Sequence, residues 1–181
     1  MKTLKPYVML LTLVGIGLLA GCSASSKSPD ITGSLRKSLD QAGLKDVTVS
    51  QDHEKGVVTL GGHVAMDSDK AQAESLAKSL ADNEVVANQI AVIPVGGEKD
   101  AKAMDKDLDK GIEGNLDAAL IQAKLVASVK YSVKNRVVTL TGDVDSETKR
   151  AQSQQIASSG PNVAQVVNEL QVKGQKATSS N

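Results

Sequence analysis

Val57-Val58-Thr59-Leu60-Gly61-Gly62-His63-Val64 returns as Val137-Val138-Thr139-Leu140-Thr141-Gly142-Asp143-Val144, displaced by 80 residues. The same displacement carries Ala71-Gln72 onto Ala151-Gln152, Ala77 onto Ala157, Val86 onto Val166, Asn88 onto Asn168 and Val92 onto Val172. One register held over that span without a gap marks an internal duplication, and a duplication decides the architecture before any single element does.

Each copy reads outward from this strand in the same order. Upstream, Ile31, Leu35 and Leu39 recur every four residues as the stripe of an amphipathic helix; Leu116 and Leu120, with Leu125, do similar work in copy two. Gly43 is suited to stop the first of these helices. A short strand (Val47, Val49; Val129, Tyr131, Val133) and a turn (Glu54-Lys55-Gly56; Lys134-Asn135-Arg136) come next, so each pair of strands reads as a hairpin. Downstream, Asp67 and Ser146 are placed to cap a second helix, whose stripe in copy one is Ala73, Leu76, Ala77 and Leu80. A last strand, Val86 to Val92 and Val166 to Val172, closes each copy. The predicted class is α+β: two tandem units, each αββαβ with two helices packed on one face of a three-stranded sheet.

Each unit holds roughly 65 residues, near the lower limit for a core without disulfides, so the two are expected to dock on one another. The units are read as 30–95 and 114–174. Between them, 96–113 is rich in Lys and Asp. Met104, Leu108 and Ile112 continue the four-residue spacing into Leu116, which fits a solvated helical connector interrupted at Gly111 and Gly114; a charged flexible linker fits as well. Residues 175–181 read as a disordered polar tail.

The N-terminus carries the parts of an export signal. Lys2 and Lys5 precede an uncharged, mostly apolar run from Val8 to Ala20, too short for a spanning helix of roughly 20 apolar residues. It ends in Leu19-Ala20-Gly21-Cys22, which matches the lipobox of processed lipoproteins. Residues 1–21 are therefore expected to be removed and Cys22, the sole Cys, to be acylated, with 22–29 as a flexible tether. Two or three acyl chains hold a protein on a membrane, each buried methylene contributing about 0.8 kcal/mol. Ser23 stands where inner-membrane retention in Gram-negative bacteria usually requires Asp, so the expected place is the outer membrane, facing the periplasm.

The full chain is neutral, with 21 basic and 21 acidic residues, but the copies differ. Residues 30–97 carry six Lys or Arg against ten Asp or Glu, whereas 114–176 carry eight against five. Near an anionic membrane surface a basic residue is worth about 1 kcal/mol, which makes the second unit the better candidate for lipid head-group contact. Lys124, Lys130, Lys134 and Arg136 are the candidate residues, the last three around one hairpin. Opposite charge that merely helps the units dock, or that is scattered over solvated faces, is the alternative. With no Trp, no Phe and Tyr131 as the one Tyr after the signal, aromatic stacking of bases or sugars is not expected, and the patch is too small for nucleic acid.

No catalytic constellation assembles. His53 and His63 are the only histidines, a poor metal set without a free thiol, and Asp143 in the place of His63 marks a tolerant exposed position. No Gly-Lys-Ser/Thr follows Gly56–Gly62, and there is no Gly-x-Ser-x-Gly elbow. No cofactor, metal or enzymatic activity is expected.

The repeated Val-Val-Thr-Leu-x-Gly-x-Val, followed by Ala-Gln in a helix and Val-x-Asn-x-Ile/Leu-x-Val, resembles the BON domain. The resemblance spans both units. It implies an αββαβ fold, no catalysis, and association with phospholipid or envelope proteins. With a lipobox in front, the chain resembles dual-BON outer-membrane lipoproteins, in which the first helix of the second domain is linked to anionic phospholipid. That helix corresponds here to roughly Asn115 to Ala127 and holds no aromatic residue to enter the lipid interface. The resulting expectation is a non-catalytic envelope lipoprotein that binds phospholipid and supports outer-membrane integrity or osmotic-stress tolerance. A periplasmic protein-binding adaptor or chaperone is the alternative.

Overall fold

The computed structural model describes residues 27–172 and 178–180. The signal read in residues 1–21, Cys22 and residues 23–26 of the tether lie outside the described residues, as do 173–177 and 181.

Unit one runs α1 (Thr32–Gln41), β1 (Val47–Asp52), β2 (Val57–Val64), α2 (Asp67–Leu80), β3 (Val85–Asn88) and β4 (Ala91–Val92). Unit two runs α3 (Glu98–Gln122), β5 (Lys130–Lys134), β6 (Val137–Thr141), α4 (Glu147–Ser158), β7 (Gln165–Asn168) and β8 (Thr178–Ser180). Both have the predicted α+β order. In each, an antiparallel hairpin is extended by a parallel strand: β1–β2–β3 with Asp52 opposite Val57 and Val57 opposite Val85, and β5–β6–β7 with Lys134 opposite Val137 and Val137 opposite Gln165. Each sheet gains a fourth strand that sequence reading did not count, β4 beside β2 and β8 beside β7. Thr178–Ser180, placed by the sequence in a disordered tail, is thus a strand antiparallel to β7.

Strand periodicity sorts the residues between two faces. Val58, Leu60 and Val86 point toward α1 and α2 and pack with Leu35, Leu39, Ala73 and Ala77. Val138, Leu140 and Val166 do the same against Leu116, Leu120 and Ala157. The alternate residues Val57, Val85 and Ala87 lie on the reverse face and meet Val137 and Val167 of the other unit. The units dock back to back through β3 and β7, with helices on the two outer sides.

Gly62 and Gly142 do what the repeated strand requires. Both have positive φ (+84° and +118°), and a Cβ on either would lie 2.0 Å from the Asp46 carbonyl oxygen or 2.4 Å from that of Ser128. The neighbouring strand comes so close that only glycine fits. The repeated asparagines are structural too. Asn88 Nδ2 donates to Glu74 Oε2 at 2.8 Å while its Oδ1 accepts from the Ile90 N–H; Asn168 Nδ2 donates to Gln154 Oε1 at 3.1 Å while its Oδ1 accepts from the Leu170 N–H. Each pins a helix to the last strand and turns the chain, which is why the run from Val86 to Val92 breaks into β3 and β4. In unit two the corresponding run ends at Asn168, with only an isolated bridge between Asp143 and Gln171 beyond it.

Other details depart from the sequence reading. The hairpin of unit two is closed by Asn135 and Arg136 alone, both at positive φ (+49° and +66°), the signature of a two-residue type I′ turn. Unit one uses His53–Gly56, two residues more, so the displacement of 80 does not extend upstream of the turn. Residues 96–113 are neither a flexible linker nor an interrupted connector. From Glu98 they form one continuous helix with the first helix of unit two, unbroken at Gly111 and Gly114. Ile112 is already in the second core, so the boundary at 114 falls inside a packed helix. Ser146 caps α4 by accepting from the Lys149 N–H, but Asp67 is the first residue of α2 and Met66 holds the cap position without a side-chain bond. The flexible tether stops short of residue 29. Ser28 is buried, its N–H donates to the His53 carbonyl, and Gln51 Nε2 donates to the Pro29 carbonyl.

Candidate functional site

The helix ends position the first candidate. α1 stops at Gly43, in the left-handed conformation (φ +81°), with Gly43 N–H donating to Asp40 O and Leu44 N–H to Leu39 O. Lys124 occupies the same place after α3 (φ +57°), with Lys124 N–H donating to Ile121 O and Leu125 N–H to Leu120 O. The bend turns Lys124 outward between Ile121 and Val126, apolar residues that are 54% and 48% exposed. Lys130 opens β5 nearby, also exposed.

Lys134 and Arg136 are not part of that group. Lys134 closes β5, so a strand rise of about 3.3 Å per residue sets it about 13 Å from Lys130 along the strand. Arg136 turns toward its own unit, its Nε donating to the Asn162 carbonyl at 2.8 Å. Both lie at the tip of the hairpin, which α3 holds in place: Asp109 accepts from the Asn135 and Arg136 N–H groups at 2.9 and 2.8 Å. The four candidate cations therefore divide into two pairs at opposite ends of β5.

Contacts across the seam show which end faces which. Gln165, at the start of β7, reaches β3: its Oε1 accepts from the Asn88 N–H at 3.0 Å and its Nε2 donates to the Val86 carbonyl at 2.6 Å. Lys55, in the turn of unit one, donates to Glu169 just past β7 at 2.6 Å. Asn135, in the turn of unit two, donates to the Gln89 carbonyl just past β3 at 2.7 Å. The turn of each unit lies beside the far end of the other, an approximate two-fold arrangement. Ser28 is bound to His53 in the first turn, so the chain enters the fold at the end that also carries Ile121, Lys124, Val126 and Lys130. His53 Nδ1 stands 2.9 Å from the Ser28 carbonyl and reinforces that attachment.

At the other end, Lys134 shares a cleft with Lys102, Lys106 and Lys110 of α3, residues that sequence reading left within linker charge. His63 is exposed at its edge. The seam carries its own electrostatics. The hydrogen bond to Glu169 raises the Lys55 pKa above the ordinary lysine value against the opposing effect of burial. Burial lowers that of Lys70, with the charge of Asp105 opposing the shift. Gln165 was also missed by sequence reading, although a signal was present: it stands where copy one has Val85, a polar residue in an apolar strand. Among the described residues no three His, Cys, Asp or Glu side chains group as metal ligands, and no helix is long and apolar enough to cross a membrane.

Two units of helix-flanked mixed sheet, each with the glycine of close approach and the helix-pinning asparagine, define the BON fold. The chain belongs to the BON-domain family, with residues 27–94 and 108–174 matching the BON domain. It is 29% identical over 146 residues to osmotically-inducible protein Y of Escherichia coli strain K12, covering 79% of this chain and 71% of that protein. Two solved structures of CdsD, a structural protein of the type III secretion system of Chlamydia trachomatis, align at 15% identity with a TM-score of 0.29. Those alignments cover 76% and 77% of this chain but only 65% and 60% of the CdsD chains.

Proposed function

We propose that this chain is a non-catalytic envelope lipoprotein, held by an acylated Cys22, whose second BON unit docks on anionic phospholipid and supports outer-membrane integrity under osmotic stress. The observation that carries this reading is the shared end of the molecule. Ile121, Lys124, Val126 and Lys130, two apolar residues and two lysines, are all exposed where α3 ends and β5 begins, at the end where Ser28 enters the fold. Five residues lie between Cys22 and Ser28, a reach of about 20 Å at full extension, so an acyl anchor brings this end to the membrane. Apolar residues entering the interface beside lysines at the head-group level form a peripheral contact that needs no aromatic ring. The name of the Escherichia coli relative supports the osmotic part of the reading.

A second reading, a protein-binding adaptor in the periplasm, is favoured by one feature: β1 and β5 are edge strands of their sheets, open to strand addition.

Vesicle co-sedimentation of a chain beginning at Ser23, which carries no acyl group, separates the two. Binding that rises with phosphatidylglycerol and falls with salt supports the lipid reading. With about 1 kcal/mol for each basic residue, a Lys124→Glu/Lys130→Glu variant loses at least about 30-fold in vesicle affinity. Binding indifferent to lipid charge, or unchanged in this variant, rejects the lipid reading and leaves the adaptor.

A further inference from the structure

The open cleft at the opposite end of the molecule has a volume of about 600 Å³, within the range of about 300–1,000 Å³ typical of small-molecule sites. It lies between the far end of unit one, α3 and the hairpin of unit two. Ala91, Ile93 and Val133 give it an apolar surface. Lys102, Lys106 and Lys110 recur every four residues along α3 and so form one stripe, and Lys134 adds a fourth ammonium from the hairpin. None of these four has a carboxylate or hydrogen-bond partner among the described residues.

The acidic residues of the cleft are engaged differently. Both carboxylate oxygens of Asp109 accept backbone N–H groups of the hairpin. Asp105 favours the charge of the half-buried Lys70 from a distance but forms no ion pair with it. Among the described residues, Asp105 and Glu113 are the two carboxylates of the lining with no ion pair or hydrogen bond, against four such ammonium groups. Lysine is a compact point charge suited to phosphate, and an apolar surface beside a row of lysines suits a phosphate that carries a small organic group.

We propose that this cleft binds the phosphate of a small phosphate ester, with Lys102, Lys106, Lys110 and Lys134 around the anion and the organic group over Ala91, Ile93 and Val133. The ester is either a free metabolite or the head group of a lipid. The site lies at the end remote from Ser28 and does not rest on the membrane reading.

Isothermal titration of the intact chain tests both sources, with glycerol 1-phosphate as one probe and dihexanoyl phosphatidic acid below its micelle concentration as the other. Equal affinity for the two assigns a free phosphate ester; at least tenfold tighter binding of the short-chain lipid assigns a head group. In either case a Lys102→Gln/Lys106→Gln/Lys134→Gln variant, with unchanged thermal unfolding, binds at least tenfold more weakly, while Lys37→Gln/Lys45→Gln leaves binding unchanged. The Lys124→Glu/Lys130→Glu variant keeps full affinity, which separates this site from the membrane-facing end. No binding of either probe, or equal binding by the parent and the triple variant, overturns the proposal.

Discussion

Replacing Gln165 with Val, the residue at the matching position 85, tests whether a side-chain amide holds the two units together. Gln165 is 8% exposed and spans the seam with two bonds, from the Asn88 N–H to its Oε1 and from its Nε2 to the Val86 carbonyl. Both partners are backbone groups on the outer edge of β3, and Gln165 closes that edge as a peptide unit would. Valine leaves a donor and an acceptor orphaned, at about 1–3 kcal/mol each when buried. A cavity of about 230 Å³ beside Gln165, lined also by Lys70 and Glu74, admits water and moderates the loss. The expected destabilisation is about 2–4 kcal/mol, or about 30- to 700-fold in the unfolding equilibrium. Urea unfolding followed by circular dichroism should show the midpoint lowered by about 1–2 M. The transition should also broaden or split, because the units lose part of what makes them unfold together. A loss below about 0.5 kcal/mol with one sharp transition would refute the clamp.

Gly62→Ala and Gly43→Ala separate close approach from dihedral strain in the same unfolding assay. Both glycines have positive φ, but a Cβ at 62 meets the Asp46 carbonyl at 2.0 Å whereas nothing lies within 4 Å of one at 43. Gly43→Ala should lose about 1–2 kcal/mol and Gly62→Ala at least about 3 kcal/mol; equal losses would show that the strands near Gly62 relax freely. The Lys55–Glu169 bond makes the seam sensitive to alkali. The folded-state pKa of Lys55 is raised, so its contribution is fully present below the ordinary lysine value of about 10.4 and disappears as pH rises through the folded value. Glu169→Gln should therefore reduce stability by about 0.5–1 kcal/mol from pH 6 to 9, and the difference from the parent should close as pH rises through the raised value of Lys55; a difference that persists once Lys55 is deprotonated would mean that Glu169 acts through packing alone.

Much of the fold was legible because it is written locally and twice. The repeated strand and the helical stripes through Leu35, Leu39, Leu116 and Leu120 follow from the fixed displacement of 80 residues and from four-residue spacing. The continuity of α3 was not legible. Gly111 and Gly114 each weaken a helix by about 1 kcal/mol, and the sequence does not show that Ile112 packs in a core or that Asp109 is tied to the hairpin. The candidate lipid contacts were legible as residue types but not as a group: Lys130 and Lys134 are four apart in a strand, which separates them, where four apart in a helix would join them.

By itself the sequence determined the duplication, the order of the main elements and the apolar helix stripes that face the two cores, since each depends on a fixed repeat or on periodicity. Only the tertiary structure decided how the two sheets meet and which surfaces share an end. Those relations come from pairs far apart in the chain, Gln165 with Asn88, Lys55 with Glu169 and Asn135 with Gln89. No local period encodes them; they arise when two reverse faces bury Val57, Val85, Ala87, Val137 and Val167 together and the remaining polar groups must find partners across the seam.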